Sequence, residues 1–119
     1  MNLLSWNCRG LGAFRAVREV TKMVKEYNLQ ILFLIETKRK RNEMDWLRSR
    51  WKFDNCVAVD CLGRGGGLAL LWLDEVNVEV QSFSKYHIDA IIGENNENVS
   101  KWRFTGFYGE PDTNKCQES

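Results

Sequence analysis

Leu3-Leu4-Ser5-Trp6-Asn7-Cys8-Arg9-Gly10 and Ile31-Leu32-Phe33-Leu34-Ile35-Glu36-Thr37 are the two stretches that decide the fold. The first is a short apolar run ending at a glycine-marked turn, which predicts a buried strand. The second is a continuous apolar run of the kind carried by strands covered on both faces. Between them Val17, Val20, Val24 and Tyr27 recur at spacings of three and four. That period predicts an amphipathic helix over Arg15 to Tyr27, with Arg15, Arg18, Lys22 and Lys25 mostly off its apolar face. Strand, helix and strand in this order make a parallel βαβ unit with a right-handed crossover, so both strands end on the same edge of the sheet. Asn7 and Glu36 stand at those two ends, where α/β sheets commonly bind ligands. A carboxylate there suits a hard cation such as Mg²⁺. An amide beside it can orient the carboxylate or bind a phosphate oxygen. The spacing alone fits equally well a glutamate that opens a loop and an asparagine that forms a turn.

Outward from this unit, Asn42 is placed to cap a second helix running through Trp51, with Met44, Leu47 and Trp51 on its inner side. The period then changes to that of strands. Cys56 to Val59 and Gly67 to Leu73 are joined by a glycine-rich connection, Asp60 to Gly66, and read as a hairpin. Val76, Val78 and Val80 alternate with polar residues, Ile88, Ala90 and Ile92 do the same, and Trp102, Phe104 and Tyr108 lie on alternating positions of a last strand. The order β-α-β-α followed by a meander predicts an α/β fold with a mixed sheet. Trp46, Trp51, Trp72 and Trp102 all fall on predicted elements and are expected in the core.

Composition excludes several classes. With 44% hydrophobic and 28% charged residues the chain has the make-up of one globular domain. No stretch approaches the roughly 20 apolar residues that span a bilayer, and the start of the chain lacks the pattern of a signal peptide, so an intracellular protein is expected. Cys8, Cys56, Cys61 and Cys116 form no CxxC pair and are expected as free thiols. Net charge is +1, but it is unevenly spread. Residues 1–54 hold 12 Lys and Arg against 6 Asp and Glu, a balance of +6, and residues 55–119 hold 5 against 10, a balance of −5. A basic half of this kind fits a polyanion partner, and fits as well helices that expose solvated Lys and Arg.

Four blocks appear in order along the chain: Leu4 to Gly10, Ile31 to Lys38, Gly65 to Leu71, and Thr105-Gly106-Phe107-Tyr108-Gly109. Together they resemble the successive blocks of the endonuclease/exonuclease/phosphatase superfamily, also called DNase I-like. The wording SWNCRGLG, HIDAII and WRFTGFYGEP is closest to the apurinic-endonuclease-like domain of plant LINE-type (non-LTR) retrotransposons. The resemblance runs from residue 2 to about residue 112. It implies the N-terminal portion of a four-layer α/β sandwich and a Mg²⁺-dependent phosphodiesterase that nicks DNA. It also implies site residues: Asn7 near the metal and the scissile phosphate, Glu36 as metal ligand, and Tyr108 as a phosphate contact. Ile35 stands where the family usually has Gln, which puts one supporting hydrogen bond in doubt and leaves the carboxylate in place.

The family's Asp-x-Asn and Asp-His blocks are not found among these 119 residues, so a partial domain over 1–119 is expected. His87, the sole histidine, stands in the wrong block to replace them and reads as structural. Lys38-Arg39-Lys40-Arg41 fits DNA phosphates, a solvated loop or a nuclear-import signal alike. Three functions remain open: a Mg²⁺-dependent DNA endonuclease, a catalytically inactive half-domain remnant, and a non-catalytic nucleic-acid-binding module. If the chain supplies mainly one of the family's two facing sheets, the inner face of that sheet is expected to be exposed, with self-association through it.

Overall fold

The structure, a computed structural model, describes residues 2–8, 14–62, 65–94 and 101–107, with backbone alone at 14, 61, 62, 65 and 94. The elements are β1 (Leu3–Asn7), α1 (Phe14–Glu26), β2 (Ile31–Ile35), α2 (Arg41–Arg50), β3 (Asn55–Leu62), β4 (Gly65–Trp72), β5 (Val76–Phe83), β6 (His87–Glu94) and β7 (Trp102–Phe107). They form two sheets, one ordered β1-β2-β4-β3 and one ordered β5-β6-β7. β1 and β2 are parallel, whereas the pairs β2–β4, β3–β4, β5–β6 and β6–β7 are antiparallel. The mixed α/β architecture is the one expected.

β2 is the middle of the molecule. Its alternate residues point to opposite faces, and Ile31 to Leu34 are all fully buried. Leu32 and Leu34 join Val20 of α1, Met44 and Leu47 of α2, and Ala69 and Leu71 of β4 in the core beneath the helices. Ile31 and Phe33 join Leu68 and Leu70 of β4 with Val76, Ile88, Ala90 and Ile92 of the second sheet. Three layers result: helices, mixed sheet, antiparallel sheet.

The second core corrects one expectation. The chain supplies strands to both sheets, and the inner face of the mixed sheet is covered, not exposed. Phe33 meets Phe104 edge-on with ring centroids 5.2 Å apart, and Gly106 of β7 lies directly over the Phe33 ring. The surface on which self-association was expected is therefore occupied by the chain itself.

Helix ends differ in detail from the sequence reading. α1 stops at Glu26, and Asn28 takes a left-handed φ of 49° while the Leu29 amide donates to the Val24 carbonyl at 3.3 Å. That is a Schellman-type stop, and it turns Tyr27 out to solvent. α2 begins one residue before Asn42. The Glu43 carboxylate reaches back to accept from the Lys40 amide at 2.9 Å, so the acid of the first turn does the capping. That bond, and after it the one from Arg39, hold the Glu43 carboxyl below the usual range. Trp51 is core, donating from Nε1 to Thr21 Oγ1 at 2.9 Å and so tying α2 to α1. Trp46 is not core. It lies two residues from Met44, off the inner face of the helix, and is 62% exposed. Trp102, on the edge strand β7, is 41% exposed.

One charged group is sunk in the second sheet. Asp89 of β6 accepts from Arg103 Nε at 2.9 Å and from Thr105 Oγ1 at 3.0 Å, both on β7, and also from Arg103 Nη2. The guanidinium, closing on the carboxylate as a fork, holds the Asp89 carboxyl below its ordinary range. A carboxylate depressed by folding stabilises above its unfolded pKa and loses that contribution as pH falls through the folded value. Urea unfolding of the wild type should therefore weaken below about pH 4, and Asp89→Asn should lose less on acidification. Equal acid sensitivity in the two proteins would assign the acid response to other groups.

Candidate functional site

The parallel register sets Asn7 opposite Ile35, so the end of β1 lies beside the residue that precedes Glu36. Cys8 closes this edge. Its amide donates to the Ile35 carbonyl at 3.0 Å, and its buried thiol donates to the same carbonyl at 3.2 Å and to that of Glu36 at 3.6 Å. Asn7 is exposed and Glu36 half-buried, as groups that meet a polar ligand at a rim should be.

Beyond β2 the backbone leaves the ordinary regions. Glu36 has φ 60° and Lys38 has φ 55°, left-handed values that cost a residue with a Cβ about 1–2 kcal/mol. The turn is held in this form from the side. The amides of Thr37 and Lys38 donate to the carbonyls of Gly67 and Gly66 at 3.0 and 2.9 Å. Those glycines have φ 94° and 82°, which a side chain would strain. Thr37 is fully buried, and its Oγ1 accepts from the Arg39 amide at 3.3 Å. Backbone strain of this kind persists where the surroundings over-determine it, and it clusters at functional sites. Cys8, Thr37, Gly66 and Gly67 thus support Glu36, a role the sequence reading did not give them. The one visible signal of that role was the run Gly65-Gly66-Gly67, read as the end of a hairpin connection, the first residue of a strand and the start of a family block.

The side chain of Ile35 packs into the core between the sheets. An apolar residue here therefore adds packing where the family's Gln would add a hydrogen bond. Tyr108 lies outside the described residues. Its block is represented by Thr105, Gly106 and Phe107, which complete β7.

The donor set at the rim, one carboxylate and one amide, is hard oxygen. It fits Mg²⁺, which keeps several waters and takes only one or two protein carboxylates. Among the described residues no three His, Cys, Asp or Glu side chains come together as a metal cluster. Among the described residues Cys8 and Cys56 form no disulfide, and burial pushes Cys56 up to about 12.

His87 lies in the β5–β6 hairpin. Ser82 Oγ is 3.1 Å from Nε2 and Ser84 Oγ is 2.7 Å from Nδ1, and the ring lies 6.0 Å from that of Phe107. Both nitrogens are engaged in holding the hairpin. The basic run after Glu36 is likewise engaged in part. Arg39 pairs with Glu43 at 2.8 Å, and Arg41 binds Asp60 through its amide at 2.7 Å and its Nε at 3.6 Å. No helix among the described residues is long and apolar enough to cross a membrane.

Against known proteins, the profile of the Endonuclease/Exonuclease/phosphatase family matches residues 4–113. Among solved structures the chain is similar to a humanized TDP2 of D. rerio carrying 14 mutations, with 19% identity and a TM-score of 0.61 over 98% of this chain and 50% of that one. It is similar also to a truncated TDP2 of Caenorhabditis elegans, with 20% identity and a TM-score of 0.62 over 98% of this chain and 48% of that one. The chain thus spans about half the length of the solved structures it matches. A comparison with the curated proteins finds no match.

Proposed function

The chain belongs to the endonuclease/exonuclease/phosphatase family, and on that premise we propose that it carries the metal-holding part of a Mg²⁺-dependent DNA endonuclease site of the LINE retrotransposon type. Glu36 is the metal ligand in this reading. Asn7 orients that carboxylate or binds a phosphate oxygen, and the Tyr108 hydroxyl donates to a phosphate oxygen where charge develops. The metal, when bound, supplies a Lewis acid that polarises the phosphoryl group. One observation carries the proposal: an acidic residue in a left-handed conformation, fixed by glycine carbonyls, at the shared end of two parallel strands.

The water-activating blocks of the family are not among these residues, so the 119-residue chain is expected to give no Mg²⁺-dependent nicking of supercoiled plasmid. Metal binding is the direct test. Mn²⁺ added to the labelled chain should broaden amide resonances around Asn7 and Glu36 first, and Glu36→Gln should remove that effect. Broadening scattered over the surface, or unchanged in Glu36→Gln, refutes the assignment. A second reading, a non-catalytic nucleic-acid-binding module, is favoured by the cationic face of α1.

A further inference from the structure

The outer surface of α1 carries Arg15, Arg18, Lys22 and Lys25 at spacings of three, four and three. Residues so spaced are neighbours on one helix face. With Arg50 of α2 they line a cleft of ≈ 510 Å³, in which Glu19 is the one acid among the described lining residues. The cleft is held together by the bond from Trp51 to Thr21. One turn before Arg50 on α2, Trp46 is 62% exposed, and the Arg50 guanidinium lies 5.7 Å over its ring.

Like charges three and four apart destabilise a helix by about 0.2–0.5 kcal/mol per pair, a cost that Glu19 and Glu26 offset at the same spacings. The first turn holds no acid, so Arg15 sits where the helix dipole favours negative charge. The stripe from position 15 to 25 is about 15 Å long at 1.5 Å per residue, a track along which its cations can follow a nucleic-acid backbone. An exposed indole beside a cationic track is the combination that holds unpaired bases by stacking and their backbone by charge.

We propose that the cleft between α1 and α2 binds single-stranded nucleic acid, with phosphates along the Arg15–Lys25 stripe and an unpaired base against Trp46. The inference does not depend on the metal reading, since none of its groups belongs to the rim, and EDTA in the binding buffer keeps the two apart.

The test is a titration of a labelled oligothymidylate, of about 12 nucleotides, with the full chain in EDTA over a range of salt. With four cations engaged, log K should fall against log salt with a slope of about −3, and Arg15→Gln/Lys22→Gln/Lys25→Gln should reduce that slope by about 2. Trp46→Ala should weaken binding roughly tenfold and leave the slope unchanged. The thermal midpoint of each variant confirms that it is folded. Affinity unchanged in both variants overturns the proposal. So does a duplex of the same length bound as tightly, or polyglutamate competing as well as the oligonucleotide, which would make the cleft a surface for an acidic protein.

Discussion

Phe33→Ala should lower the free energy of unfolding by about 3–5 kcal/mol, against a total of about 5–15 kcal/mol for a domain. Phe33 is fully buried and is the ring around which the two sheets meet, touching Phe104 and Gly106 on the far side. Gly106→Ala makes the opposite error at the same point. A Cβ there would come within 2.5 Å of Phe33 Cζ, and relief requires that either a β7 backbone held by its ladder or a ring locked in the core must shift. Overpacking of that kind costs about 1–3 kcal/mol or more. Because the lesions share one space, they should not add. Phe33→Leu combined with Gly106→Ala should be more stable than the sum of its single changes predicts. Urea midpoints followed by near-ultraviolet circular dichroism report all of this. A Phe33→Ala protein with the wild-type midpoint would mean that the sheets are joined elsewhere.

The βαβ unit was legible because its signals are local. A continuous apolar run of five residues at 31–35 has the length and composition of a strand covered on both sides, and valines at helical spacing between two such runs leave little choice of connection. The second sheet was legible as strands and not as a layer. Alternation shows that Ile88, Ala90 and Ile92 share a face, but the surface that face covers is set by pairings distant in sequence, so the closing of the two sheets went unseen. Trp46 was misplaced because a large aromatic on a predicted helix was taken as core, although Met44 and Leu47 already fixed the inner side. At the rim, residue types and strand ends were readable in Asn7 and Glu36. The backbone twist at Glu36 was not, since a left-handed glutamate has no compositional mark.

That twist gives the sharpest separation of stability from function. Glu36→Gly should stabilise the fold while abolishing metal binding. Removing the Cβ relieves about 1–2 kcal/mol of left-handed strain, offset by the about 0.4–1 kcal/mol that glycine's freedom costs through the unfolded chain. The net gain is small and positive, and it should appear as a raised thermal midpoint. Lys52→Gly is the control. Lys52 also has a left-handed φ, 64°, where α2 ends and the Phe53 amide donates to the Arg48 carbonyl at 3.0 Å, so the same gain is expected there with no effect on the rim. Mn²⁺ affinity should fall roughly a hundredfold or more in Glu36→Gly, since losing even a supporting partner of a metal ligand costs 10–100-fold, and it should be unchanged in Lys52→Gly. If Glu36→Gly binds Mn²⁺ as the wild type does, the carboxylate is not a ligand. If it loses stability instead, the side chain is holding the turn and the strain has no functional meaning. The two readouts move in opposite directions only if the fold bears a locally unfavourable conformation in order to present that one acid.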